Sequence, residues 1–550
     1  MQDTRPWSGW YDALDLPEVT IHEDLLAMAA AAIAQGPERV ALEYFDARID
    51  YGQLDRLSKG LAVYLAEHGV SRGDRVAMYL QTSPHFVIGA LGIWRAGAVL
   101  VTMNPMYRAG EVTHLLTDSG AVGLVSSQRG YREVIAEVRA SAPELRLVLT
   151  TSEADLLTEM GARPDRRVFS DLTEAPVPGT EDLLTVARSA ANATWSSPPL
   201  GPEDLAVLCY TSGTSGPAKG AMLTHGNLAH AVAGNVQWLG TGPGSCLYAA
   251  APLFHVVGLV LELLHMLQTG GRLVLPFRFV PDVALEQFRG YRPHFFVAPP
   301  TAYNALMATP GVDPDHFSSF NRMFAGGAML PPTVVAQFQE RFGRYINNGY
   351  GLTETCGACV FAIPNRPARV DPATQAMSNG VPLPGTDVRI VDPAGAAVPT
   401  GERGEIQVRG PVVTPGYWQQ PEETAKAVRD GWLATGDVGS FDDEGVLYCT
   451  DRIKDLIIAS GFKVWPGEVE QILYDQGSVR DAAVIGVPDP YRGETVKAFV
   501  TLRPGATTTP EELITWCRDH LAAYKAPREV AIRAELPTTT SGKILRRELR

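Results

Sequence analysis

Leucines at 54, 57, 61 and 65 recur at three- and four-residue intervals and stop before Gly69, which predicts one apolar face of a helix. Residues 75–80 (Arg-Val-Ala-Met-Tyr-Leu) form a strand-like run, followed by a second helix-like stretch and another strand at residues 98–101. Such alternation predicts an α/β fold with parallel sheet layers. Residues 205–209 (Leu-Ala-Val-Leu-Cys) predict a further buried strand, and a helix is predicted from about Asn227. The chain between them lies beyond the carboxyl end of a strand and ahead of a helix, where α/β proteins bind ligands.

The texture changes near residue 451. Gly445-Val-Leu-Tyr-Cys449 is strand-like, Asp451-Arg-Ile-Lys-Asp455 is charged, and Leu456-Ile-Ile-Ala459 begins a new apolar run. A domain boundary is placed there, giving a large lobe over residues 1–450 and a small α+β unit over residues 451–550. In the small unit, strands at residues 482–487, 496–502 and 529–532 accompany a helix announced by Thr509 as N-cap, Pro510 at N1 and Glu512 at N3. On residues alone, the charged stretch is equally a solvated turn or a hinge.

Composition narrows the function classes. A chain of 550 residues with 45% hydrophobic and 20% charged positions is globular and long enough for more than one core. Its net charge of −14 argues against broad nucleic-acid binding, while a local basic patch could still hold phosphates. The first residues lack a secretory pattern, and the apolar windows near Phe86 and Leu259 are too short or too interrupted to cross a membrane. A cytoplasmic enzyme without a transmembrane segment is expected. Six cysteines do not make a disulfide framework, and Cys356-Gly-Ala-Cys359 lacks the second pair that a zinc site needs. Those two thiols are expected to line a pocket.

Candidate chemistry centres on Tyr210-Thr211-Ser212-Gly213-Thr214-Ser215-Gly216-Pro-Ala-Lys219-Gly220. Small hydroxyl and glycine residues let successive N–H groups converge on phosphate oxygens, and Lys219 adds a mobile positive charge. No Gly-x-x-x-x-Gly-Lys-Ser/Thr occurs: Gly542-Lys543 has Pro537 at the first glycine position and Ile544 after the lysine, so kinase and GTPase readings weaken. A second cluster, Asn348-Gly-Tyr350-Gly-Leu-Thr353-Glu354-Thr355, offers an aromatic face, a hydroxyl and a carboxylate able to hold Mg²⁺ against phosphate oxygens. Gly326 and Gly327 lack bulk and permit close approach of a flat ligand. Asp437 could accept hydrogen bonds from ribose hydroxyls, with Arg452 reinforcing it.

Together these strings resemble the adenylate-forming superfamily of acyl-CoA synthetases, peptide-synthetase adenylation domains and beetle luciferases. The phosphate loop departs from the usual pattern at Ser215 and at Pro217-Ala218, yet keeps its hydroxyls, glycines and lysine. The resemblance runs from about residue 20 to the terminus and implies ATP, Mg²⁺ and coenzyme A as ligands. It implies that residues 211–216 and Lys219 hold phosphates, that Tyr350 stacks near adenine and that Thr353 contacts the α-phosphate. Glu354 then binds the metal, and Gly326 and Gly327 wall the adenine and acyl group. His255, in Ala251-Pro-Leu-Phe-His255, orients the acyl substrate; Asp437 and Arg452 grip ribose. Asp451 becomes the hinge, Lys543 the mobile catalytic cation, and Gly461 the gap for a pantetheine arm once the small domain has swung.

The stretches 451–457, 465–470 and 489–497 are most similar to fatty-acyl CoA ligases. A medium- or long-chain carboxylic acid is therefore expected to become acyl-adenylate and then acyl-CoA. An aryl carboxylate, or an unusual acid passed to a separate non-CoA acceptor, stays open, as do the role of Lys463 and assembly as a homodimer.

Overall fold

The computed structural model describes residues 5–157, 168–169, 175–211, 217–372, 374–459, 462–489, 492–539 and 542–550. Two large sheets dominate. One has seven strands, parallel from its first edge through Arg75–Tyr79, Val99–Thr102 and Leu205–Thr211, and closes on the antiparallel strand Lys219–Thr224. The other has nine strands, with a parallel centre of Cys246–Tyr248, Arg272–Val274, Phe295–Ala298, Arg322–Ala325 and Asn347–Leu352, and antiparallel edges. Apolar residues of both sheets, including Leu100, Val207, Leu247 and Leu273, share one core with Trp94 and Leu228 from helices.

Helix Tyr51–Glu67 carries the predicted leucine face, and Asp50 caps it in a reciprocal box with Gln53. Helix Pro84–Arg95 is buried at every position, as expected of an apolar helix inside a core rather than on its surface. Helix His225–Leu239 starts two residues ahead of the sequence expectation because Thr224 caps it with Asn227.

Strand Lys219–Thr224, between the phosphate loop and that helix, was not anticipated from sequence. Its first members, Lys219, Gly220 and Ala221, include no β-branched or aromatic residue and so carry no strand signature. Thr211 pairs with Lys219 in the antiparallel register of the two strands.

A third sheet is antiparallel and ends with Trp432–Phe441 and Leu447–Arg452. The chain then leaves it for a fourth sheet, built on Gly493–Leu502 with Ile457–Ala459, Val479–Asp489 and Glu529–Ile532 alongside. Helices Pro466–Asp475 and Pro510–His520 cover this sheet, and the Thr509/Glu512 capping box forms as the sequence predicts.

The fourth sheet's unit docks on helices Pro300–Ala308 and Pro332–Phe342. Asn304 Nδ2 donates to the Arg480 carbonyl at 3.5 Å, Arg503 Nη1 to Gln337 Oε1 at 2.9 Å, and Thr301 Oγ1 to the Gly542 carbonyl at 3.2 Å.

Candidate active site

The ends of the central strands in the nine-stranded sheet form the floor. Strand Arg322–Ala325 runs directly into Gly326-Gly327. A Cβ at either glycine would meet nothing within 4 Å, so this edge is open to a ligand; Gly327 also has a φ of +77°, which a side chain disfavours. In the next strand, Tyr350 is buried and donates its phenol to Asp437 Oδ2 at 3.0 Å. Asp437 lies opposite Arg452 in the third sheet, and Arg452 Nε meets its other oxygen at 3.0 Å. Tyr350, Asp437 and Arg452 thus form one linked group.

Thr353 and Glu354 sit in the tight turn after that strand. The Glu354 carbonyl accepts from Thr414 N, and its Oε1 accepts from Tyr417 Oη at 2.8 Å. Its Oε2 accepts no hydrogen bond from the described residues. No group of three His, Cys, Asp or Glu able to enclose a metal occurs among them. One carboxylate with a free oxygen suits Mg²⁺, which takes most of its ligands from phosphates and water.

Lys219 forms an ion pair with Glu423 and lies 5.1 Å from the centre of the Tyr417 ring. Tyr417 and Glu423 escaped the sequence analysis. Gly416-Tyr-Trp418 followed by Pro421-Glu-Glu reads locally as a turn and a helix start, and only the long-range bridge between Ala221 and Tyr417 places it here.

His255 begins a short helical turn, and its Nδ1 accepts from Val257 N at 3.3 Å. A Cβ on Gly258 would come within 2.3 Å of the Pro252 carbonyl, so the segment folds tightly back on itself. Behind it, Glu262 is fully buried and accepts from Ala251 N at 3.0 Å; burial raises its carboxyl far above the usual range. Burial, and then the nearby Lys543 ammonium, push His255 down to about 4, so the imidazole is neutral.

Lys543 reaches this floor from the docked unit. Thr539 accepts from Lys543 N through Oγ1 and donates its own N–H to the Lys543 carbonyl, shaping a tight hairpin. Gly542 has a φ of +79°, and a Cβ there would meet Thr301 Oγ1 at 2.5 Å and Pro299 Cγ at 2.8 Å. Burial lowers the Lys543 ammonium to about 8, helped by Arg452 and opposed by Asp437.

Asp451 is buried. It accepts from Arg452 N and Gly467 N at 2.8 Å each and lies 3.8 Å from Arg546, which is held by Glu470 and Asp455. Burial raises Asp451 to about 6 even so.

Cys356 and Cys359 are buried and unpaired; burial pushes the Cys356 thiol far up and that of Cys359 up to about 12, as unreactive thiols are. Ser212, Gly213, Thr214, Ser215, Gly216 and Gly461 lie outside the described residues; Thr211 and Lys219, which flank residues 212–216, pair with each other.

Gly326 and Gly327 thus leave an open edge at the end of the parallel sheet, and Lys543 comes to the neighbourhood of His255, Asp437 and Arg452 from the separately built docked unit. Residues 29–418 match the AMP-binding enzyme family and residues 468–543 match the AMP-binding enzyme C-terminal domain. The chain belongs to the AMP-binding enzyme family. It is 34% identical to a long-chain-fatty-acid–CoA ligase of Bacillus subtilis over 567 residues, covering 100% of this chain and 98% of the relative. A feruloyl-CoA synthase of Amycolatopsis sp is 35% identical, with 94% and 96% covered. The crystal structure of an anthranilate CoA ligase in complex with anthranoyl-AMP superposes with a TM-score of 0.85 at 27% identity, covering 98% of each chain.

Proposed function

We propose that this protein is an AMP-forming ligase that activates a medium- or long-chain fatty acid with ATP and transfers the acyl group to coenzyme A. The observation that carries it is the approach of Lys543, from the docked unit, to His255 and to the Asp437–Arg452 pair, close enough for their charges to act on one another. The fatty-acyl preference rests on long-chain ligases among the full-length relatives and on apolar residues, such as Val256 and Leu259, beside His255. The aryl reading keeps a place because feruloyl and anthranilate ligases resemble the chain comparably.

In the first step a carboxylate oxygen attacks the α-phosphorus of ATP, the α–β phosphoanhydride bond breaks, and pyrophosphate leaves. Lys543 bridges the two anions as charge develops, while neutral His255 lines the acid without adding a charge. Asp437 and Arg452 hold ribose, and Tyr350 fixes Asp437. Glu354 would hold Mg²⁺, which when bound would supply positive charge to the polyphosphate.

In the second step the coenzyme A sulfur attacks the acyl carbon and AMP leaves. Rotation about Asp451 withdraws Lys543 and clears its place for the thiol. No helix among the described residues is long and apolar enough to cross a membrane. Pyrophosphate release across a panel of fatty and aromatic acids tests the proposal: the largest kcat/KM is expected with a fatty acid and CoA-dependent turnover, and preference for an aromatic acid overturns the fatty-acyl assignment.

A further inference from the structure

Lys219 does not wait for phosphate as a free cation. It opens strand Lys219–Thr224, across from Thr211 at the mouth of the phosphate loop, and its ammonium is held by Glu423 Oε2 over the face of Tyr417. Glu423 lies in the first turn of helix Pro421–Ala427; its second oxygen accepts from Lys426 at 2.7 Å, three residues along the same helix. Those two lysines hold the Glu423 carboxylate down at about 2. Both sides of the pair keep roughly a third of their surface exposed, so an arriving anion can reach the ammonium.

We propose that Glu423 is a positioning residue that acts as an internal counter-anion, occupying Lys219 while polyphosphate is absent and competing with it when ATP binds or pyrophosphate leaves. This rests on the adenylation reaction above. Exchange is easy for two reasons. When Lys219 moves to phosphate, Glu423 retains Lys426 and is not left unpaired. Partly exposed ion pairs are weak, and a polyphosphate carries more charge than one carboxylate. Tyr417 links the exchange to the metal carboxylate, since the ring beneath Lys219 bears the hydroxyl that binds Glu354. The pair therefore keeps the phosphate end from binding pyrophosphate so tightly that release becomes slow.

The test is E423Q in the full chain, read by calorimetric binding of magnesium pyrophosphate and by steady-state adenylation. With its competitor gone, Lys219 should bind phosphate more tightly: the Kd for pyrophosphate and the KM for ATP fall about three- to fivefold, and the KM for the acid is unchanged. A merely structural role for Glu423 would raise the ATP constants instead. E422Q removes the same charge from the same turn and should leave both constants unchanged. E423D, with a shorter reach to Lys219, should lower both constants by a smaller factor and keeps the test open if E423Q fails to fold. Pyrophosphate binding by these variants that is equal to or weaker than wild type, or an equal gain in E422Q, overturns the proposal. Pyrophosphate calorimetry needs no turnover, so a failed adenylation assignment is distinguishable from a failed role for Glu423.

Discussion

Tyr350 donates its buried phenol O–H to Asp437 Oδ2 at 3.0 Å, while Arg452 occupies the other carboxylate oxygen. Three strands from two sheets meet in that group, and the hydroxyl is the only part of Tyr350 that a phenylalanine would lack. Removing a hydrogen bond to a charged acceptor costs ~1.5–3 kcal/mol. Tyr350→Phe should raise the KM for ATP roughly tenfold and leave the KM for the acid near wild type, measured by initial rates of pyrophosphate release.

Lys543 must be protonated to bridge carboxylate and phosphate, and burial holds it near 8. A lysine lowered in this way loses its proton as pH rises through that value. In the free enzyme, kcat/KM for adenylation should therefore fall above about pH 8. Lys543→Arg should remove that limb while lowering the plateau, because guanidinium stays charged over the whole range. An unchanged basic limb in that variant would assign it to another group.

Gly542 touches Pro299 and Thr301 with no room for a Cβ and in a left-handed conformation. Gly542→Ala should lower adenylation about tenfold or more through loss of the docked hairpin, while thioester formation from supplied acyl-adenylate stays within about twofold of wild type. Single-turnover assays of each half-reaction separate the two.

Glu153 is fully buried between the two large sheets, accepts from Gln81 N at 2.7 Å, and is raised to about 7 chiefly by burial. The folded state keeps this proton while the unfolded chain loses it near 4.5, so rising pH erodes stability across that window. Glu153→Gln keeps the acceptor and removes the charge. Its thermal midpoint should fall less than that of wild type between pH 5 and pH 8, with a difference on the order of 3 kcal/mol at the alkaline end.

Local features are legible in the sequence alone. Thr509, Pro510 and Glu512 announce their helix through hydrogen bonds made within four residues, and the leucines of residues 54–65 need only helical periodicity. Strand Lys219–Thr224 was hidden because Gly220 and Ala221 carry no β signature, and its existence depends on Leu205–Thr211 beside it. Glu423 and Tyr417 were missed for a related reason: their partners, Lys219 and Glu354, are remote in sequence. Glu262 inside an apolar run gave no sign that it supports Ala251 from behind, since that contact exists only once the segment folds back at Gly258. Motifs named the chemistry, and sheet order determined which side chains meet.

In the proposed cycle Lys543 serves the first half-reaction from a docked unit that later moves away. Rapid-quench measurement of both half-reactions in Lys543→Ala tests this most directly. The expected result is a loss of acyl-adenylate formation by about 10²-fold or more, with transfer from supplied acyl-adenylate to coenzyme A near the wild-type rate. Equal loss of both steps, or adenylation at the wild-type rate, would contradict it.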